Sequence, residues 1–134
     1  MRRKLVLRFC LQAIPFIILS AFPIRAQAPS LAMLQTLKAG AWEVRNRGDG
    51  ARQRLCMRTG YEFVQLQHRQ PACKRFVVQN DTSEITVEYT CNANGYGRTT
   101  IRRETEGLVQ INSQGILNGT PFNFTAEARF VGRC

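Results

Sequence analysis

The sequence predicts a mainly β (α+β) protein, in which a curled antiparallel sheet of about seven strands forms a half-barrel or small sandwich with one short helix and two disulfides. Two observations carry this prediction. Apolar and polar residues alternate along seven short segments, which is the pattern of strands buried on one face. An even set of four cysteines also remains once an N-terminal export signal is set aside, and such a set in a short exported chain indicates disulfides.

The first 28 residues have the three parts of a cleaved bacterial signal peptide. Three basic residues follow the initiating methionine, and an apolar run at residues 9–22 is too short to span a membrane. Residues 26–28 have the sequence Ala-Gln-Ala, which is a small-x-small cleavage pattern. We therefore expect a periplasmic or secreted protein whose mature part is residues 29–134, without Cys10 and without a membrane span.

The charge of the mature chain is modest. The signal holds five of the nineteen basic residues and no acidic ones, which leaves fourteen basic and nine acidic residues, or a net charge of about +5. The arginines are scattered among acids rather than clustered with aromatic residues, which argues against nucleic-acid binding. We expect a mildly cationic surface with weak attraction to anionic envelope polymers or lipid head groups.

Residues 29–134 are expected to form a single disulfide-stabilised β-rich domain. The predicted strands are residues 41–45, 53–57, 74–79, 84–91, 98–104, 108–116 and 121–131. A polar turn at residues 80–83 joins the third and fourth strands into a hairpin. Residues 92–97 are expected to interrupt the sheet, either as a plain turn or as a recognition loop that carries Tyr96.

Helix is scarce in the predicted domain. Apolar spacing predicts one short helix at residues 60–68, ended by Pro71, and a helical turn within residues 31–37. So little helix cannot cover the apolar face of a flat sheet. The sheet is therefore expected to curl upon itself.

The four mature cysteines allow three pairings, and the sequence alone cannot choose among them. The predicted hairpin favours Cys73 with Cys91, because it brings them onto adjacent strands, and leaves Cys56 for Cys134. The alternative pairs Cys56 with Cys73 and Cys91 with Cys134.

Little in the sequence indicates catalysis. His68 is the only histidine, and it is expected to be solvated or to cap a helix end rather than to activate a nucleophile. The cysteines are far apart in sequence, unlike the Cys-x-x-Cys pairs that bind zinc. We therefore expect a protein that is not an enzyme and that needs no cofactor or metal.

Several motifs are shared with a known group of proteins. Residues 40–43 have the sequence Gly-Ala-Trp-Glu shortly after the signal, a cysteine framework follows, and the chain ends in Arg-Phe-Val-Gly-Arg-Cys at residues 129–134. In these features the chain resembles the small exported bacterial proteins of domain-of-unknown-function family 3617. It departs from them in its shorter length and in a segment, residues 58–69, that is not rich in methionine or lysine. The resemblance implies an envelope location and no assigned activity.

Two classes of function remain. The first is a non-enzymatic envelope module that binds an apolar or envelope-derived molecule in the curled sheet or contributes structurally to a periplasmic assembly. The second is a protein–protein interaction module, such as an inhibitor of a secreted hydrolase. A deep apolar cavity would favour the first class, and a loop with Tyr96 or Arg98 at its tip would favour the second. The candidate ligand or partner surface comprises Trp42, Tyr96, Arg98 and Arg102.

The export signal generates a first testable prediction. The exported protein should begin within a residue or two of Pro29, because the apolar run is short and Ala-Gln-Ala precedes that residue. The intact mass of protein recovered from the periplasm measures this directly. A product that keeps Met1 and stays in the inner membrane would contradict the prediction.

Overall fold

A computed structural model of the protein describes residues 30–69 and 73–134, and these form one antiparallel sheet of seven strands. The strands are β1 (Gly40–Asn46), β2 (Arg52–Met57), β3 (Lys74–Asn80), β4 (Glu84–Cys91), β5 (Gly95–Thr105), β6 (Leu108–Leu117) and β7 (Thr120–Gly132). Their order across the sheet is β2-β1-β7-β6-β5-β4-β3, so β2 and β3 are the edges and the sheet is not closed. The predicted mainly β fold is confirmed. The predicted signal peptide lies outside the described residues.

The alternation seen in the sequence corresponds to the two faces of the sheet. In β4, Ile85, Val87 and Tyr89 are buried, whereas Glu88 and Thr90 are exposed. Successive side chains of a strand point to opposite faces, so this period of two gives the sheet an apolar inner face and a polar outer face.

Two segments cover the inner face. The short helix α1 (Ala32–Gln35) buries Met33 and Leu34, and residues 58–69, called the crossing segment, cross the sheet and bury several side chains. The buried apolar side chains of the crossing segment are Phe63, Val64 and Leu66. Within the described residues, no helix is long and apolar enough to cross a membrane.

The predicted helix at residues 60–68 is wrong. The segment contains only a 3₁₀ turn, Tyr61–Phe63. An α-helix would bond the amide of His68 to the carbonyl of Val64. Instead the His68 amide donates to Gln65, and the Val64 carbonyl accepts a 2.6 Å hydrogen bond from the hydroxyl of Thr99 on β5. Bonds to the sheet thus replace bonds within a helix.

The predicted break at residues 92–97 is also longer than the observed one. The turn between β4 and β5 occupies residues 92–94, and Ala93 takes the left-handed conformation, with φ of 66°. Cys91 already pairs with Gly95, and Tyr96 lies opposite Thr90. Tyr96 therefore belongs to a strand and not to the tip of a recognition loop.

The disulfides join Cys56 to Cys134 and Cys73 to Cys91. This is the pairing that the predicted hairpin favoured over its alternative. The first bond connects residues 78 apart in sequence and ties the end of the chain to edge strand β2. The second connects residues 18 apart and ties the start of β3 to the end of β4.

The two disulfides should differ in their effect on stability. Replacing both cysteines of the Cys56–Cys134 bond with serine should cost about 2–5 kcal/mol, because it frees the longer loop in the unfolded chain. Replacing Cys73 and Cys91 should cost about 1 kcal/mol less, since the freed loop is shorter. Urea unfolding of the two double variants measures this difference. The reverse order of stabilities would show that native packing, and not loop length, decides the cost.

Candidate functional site

Three of the four predicted surface residues share the outer face of β5. Tyr96, Arg98 and Arg102 are spaced by even numbers of residues and are exposed, whereas Thr99 and Ile101 between them are buried. The sheet therefore brings Tyr96 and Arg98 together as neighbours on one face. Arg102 lies further along the same strand.

A cleft of about 540 Å³ surrounds the first two of these residues. We call the side chains of Glu88, Tyr96, Arg98 and Gln114, which contribute to its lining, the Tyr96 patch. Tyr96 is 55 % exposed. The Arg98 guanidinium lies 3.4 Å from the Glu88 carboxylate, and both side chains are about half exposed. Exposed ion pairs are weak, so both charged groups stay available to a partner.

Two facing glycines support the patch from within the sheet. Gly97 of β5 pairs with Gly115 of β6. A Cβ atom at Gly97 would clash with the ring and hydroxyl of Tyr89, and one at Gly115 would clash with the carbonyl of Tyr96. Glycine is required at position 97 because the Tyr89 ring packs against that backbone, and at position 115 because the β5 backbone approaches closely.

Arg102 lies in a second, more polar groove of about 660 Å³. Its guanidinium is 2.8 Å from the carboxylate of Glu104. Arg47, at the same groove, donates a 2.7 Å hydrogen bond to Gln110. Arginines in exposed ion pairs occur at both clefts, so the difference is that no exposed aromatic side chain accompanies them in this lining. This groove is a weaker candidate than the Tyr96 patch.

Trp42 does not belong to any surface. It is completely buried, its indole nitrogen donates to the carbonyl of Lys38 at 2.8 Å, and its ring meets Phe63 edge-on with centroids 5.1 Å apart. The assignment of Trp42 to a ligand or partner surface is therefore wrong. Its side chain points to the inner face, where a large aromatic ring fills the core.

His68 is buried, contrary to the prediction of a solvated or capping residue. Its Nε2 lies 3.1 Å from the carbonyl oxygens of both Asn94 and Ile116, and its Nδ1 lies 3.1 Å from the Tyr89 hydroxyl. Carbonyls only accept, so Nε2 carries a proton, and in the neutral ring Nδ1 accepts from Tyr89. The imidazole thus connects the crossing segment to β4, β6 and the turn before β5.

A chain of hydroxyl groups continues this connection. The Thr99 and Ser113 hydroxyls are 2.7 Å apart, and both residues are buried on the inner face. Burial raises the pKa of the Tyr89 phenol above its ordinary value, and a hydrogen bond with Ser113 opposes only part of that rise. Tyr89 therefore keeps its proton at neutral pH and can donate it to His68.

The crossing segment also bridges the open edges of the sheet. The Arg75 guanidinium of β3 donates to the Gln65 side chain and lies 4.9 Å from the centre of the Tyr61 ring. Arg69 donates to Gln53 of β2. A cleft of about 360 Å³ at this seam is lined in part by these two arginines and by Tyr61. Both arginines are hydrogen-bonded to side chains of the protein itself. They therefore link parts of the fold and do not form a ready anion-binding site.

Glu62 fixes the start of the crossing segment. Its carboxylate accepts a 3.0 Å hydrogen bond from the Arg58 amide and further bonds from Thr59. Partial burial acts to raise the pKa of Glu62, but the backbone amides of Glu62, Arg58 and Thr59 outweigh that effect and hold it below its ordinary value. This carboxylate is a turn cap and not a proton donor for a substrate.

Known proteins give no further guide to the site. No family model, curated protein or solved structure matches this chain. In the described residues, no three side chains of the metal-binding types come together. What the outer face offers is an exposed tyrosine, an arginine and hydrogen-bonding side chains on a fixed strand, an arrangement suited to binding.

The buried position of His68 generates a prediction about stability. Replacing His68 with alanine should lower the free energy of unfolding by about 2–4 kcal/mol, because it opens a cavity and removes the imidazole hydrogen bonds to two carbonyls and to the Tyr89 hydroxyl. Tyr89→Phe should cost about 1 kcal/mol, and the double variant should cost less than the two losses added together, because the residues are bonded to each other. Urea unfolding of the three variants measures these differences. A loss below about 0.5 kcal/mol for the His68 variant would instead indicate a solvated side chain.

Proposed function

We propose that this chain is an exported, non-enzymatic binding module of the bacterial envelope that holds a protein partner on the Tyr96 patch. The observation that carries this proposal is the exposed Tyr96 side chain beside Arg98 on one face of an internal strand. Tyrosine and arginine are among the residues that most often anchor protein interfaces, because each offers a large contact area together with hydrogen bonds. This is the second of the two classes expected from the sequence.

The rigidity of the patch supports a binding role. Tyr96 pairs with Thr90 on one side and with Ile116 on the other, so both flanks of its strand are hydrogen-bonded. The Cys73–Cys91 bond fixes the end of β4 beside it. A partner that binds such a surface loses little entropy in ordering it, which favours affinity.

An apolar ligand inside the sheet has less support. Trp42, Val44 and Ile85, which would line an inner cavity, are each at most 1 % exposed. The helix α1 and the crossing segment lie over them. The inner face is therefore a packed core, which supports a partner site on the outside of the sheet.

The charge of the chain favours an acidic partner. Residues 29–134 carry a net charge of about +5, so an acidic protein surface would be attracted and would associate faster at low salt. The two disulfides support a location in an oxidising compartment such as the periplasm. A secreted hydrolase with an acidic surface is one partner that would fit this location and charge. The resemblance to family 3617 is consistent with the same location.

Site-specific photocrosslinking tests the proposal. A photoreactive phenylalanine analogue in place of Tyr96 should give one dominant crosslinked protein in the envelope of the source bacterium, identified by mass spectrometry. Adding Arg98→Glu should reduce the yield of that product roughly tenfold, because a central arginine of an interface contributes more than 1 kcal/mol.

Matched controls use Arg54, an exposed arginine on edge strand β2. The analogue at position 54 should not give the same product, and Arg54→Glu should leave the yield from position 96 unchanged. Equal yields from both positions would contradict a specific patch. If the analogue crosslinked to glycan or lipid instead of protein, the proposal of a protein partner would be wrong.

A further inference from the structure

The two edges of the open sheet differ in their chemistry. Edge strand β2 carries the exposed arginines Arg52 and Arg54, and charged side chains are a common means of preventing strands from pairing edge to edge. Edge strand β3 also begins with two exposed basic residues, Lys74 and Arg75, but it differs from β2 in carrying Phe76, which is 68 % exposed, and Val78, which is 43 % exposed. Among the described residues only four large apolar side chains are exposed, and two of them belong to this one edge.

A bulge in β3 determines how a second strand can pair with it. Phe76 pairs with Glu88 and Gln79 with Thr86, so Phe76 and Gln79 share the outer face although they are three residues apart. Val78 is the extra residue that shifts the register.

A second copy of β3 can pair with this bulged strand so that opposing residues lie on the same face of the sheet. In an antiparallel pair with the twofold axis between Val77 and Val78, Phe76 lies opposite Gln79 of the other copy, and both face outward. Arg75 then lies opposite Asn80, and both of these positions are on the inner face, since they pair with Tyr89 and Ile85. An axis centred on Val77 would instead oppose residues of different faces.

Charge complementarity favours the same register. Lys74 begins β3, and Asp81 directly follows its last residue, Asn80. The twofold axis between Val77 and Val78 places Lys74 of each copy beside Asp81 of the other. Two cross-strand pairs of opposite charge therefore flank a centre of valine and phenylalanine side chains.

The geometry points to a homodimer in which two copies of this chain join their β3 edges as an antiparallel pair. Each copy uses the same edge, so the assembly closes at two copies. The arginine-bearing β2 edges stay free at its two ends and do not extend it. The inference is independent of the partner that the Tyr96 patch binds, and it places two such patches on one continuous outer face.

A charge-swap series tests this dimer on the mature, disulfide-bonded protein. Sedimentation equilibrium should detect a monomer–dimer equilibrium across a hundredfold range of protein concentration. Lys74→Glu and Asp81→Lys should each raise the dimer dissociation constant roughly tenfold, because each variant makes two repulsive pairs. Combining the two substitutions should return the constant to within about threefold of the original, since opposite charges face each other again.

The rescue separates this interface from effects within one chain. Lys74 and Asp81 of a single copy are roughly 20 Å apart along the strand, so they cannot restore each other directly. Arg54→Glu makes the same change of charge on β2 and should leave the dissociation constant unchanged. Hydrogen exchange should slow at residues 75–79 as concentration rises.

Three results would overturn the inference. The first is a wild-type protein that stays monomeric over the whole range of concentration. The second is a dimer that neither single substitution weakens, which would place the contact elsewhere. The third is growth beyond two copies, which would require β2 to take part.

Discussion

An unclosed sheet leaves one apolar face that must be kept from water, and within the described residues the α-helix that contributes to that cover has only four residues. The crossing segment, residues 58–69, therefore shares the covering with the buried leucines and methionine of residues 31–37. Apart from the 3₁₀ turn Tyr61–Phe63 it is neither helix nor strand, so local bonds such as that from the Phe63 amide to the Gly60 carbonyl satisfy only some of its polar groups and leave others without a local partner. Those groups must find partners on the sheet, and the structure of the inner face depends on this requirement.

The polar side chains of the inner face follow from the same requirement. Thr99 would be costly in an apolar core if it were unpaired, but its hydroxyl meets the Val64 carbonyl, which lacks a helical partner. His68 reaches the carbonyls of Asn94, in the turn before β5, and of Ile116, near the end of β6. Each buried polar group thus offsets the desolvation of another. The crossing segment is held by directed bonds as well as by burial.

Local patterns were enough to predict most of the sheet. Period-two alternation identified β4 and β7, and a polar turn identified the β3–β4 hairpin and with it the cysteine pairing. The errors fall where tertiary contacts override local preference. The apolar spacing at residues 60–68 is compatible with a helix, but in the folded chain the Val64 carbonyl bonds to Thr99 of the sheet and the His68 amide bonds to Gln65. No local signal distinguishes a buried histidine from a solvated one, because the partners of His68 are 21 to 48 residues away in sequence.

The candidate site was predictable in part for the same reason. Tyr96, Arg98 and Arg102 are exposed because the strand alternates, whereas Trp42 has the opposite phase and points to the core. An aromatic residue in a strand can anchor a partner or fill the core. Which of the two it does depends on whether its position in the alternation points toward solvent or toward the buried face.

One strand consequently carries both a core contact and the proposed binding patch. On its inner side Gly97 receives the Tyr89 ring, whose hydroxyl bonds to His68, and on its outer side Tyr96 and Arg98 face solvent. A side chain at Gly97 would displace Tyr89 and with it the contact that holds the crossing segment. The outer residues can change without disturbing the core, because the pleat separates the two faces. The exposed even-numbered positions of β5 can therefore vary in sequence, while the odd-numbered positions from Gly97 to Ile101 are constrained by packing.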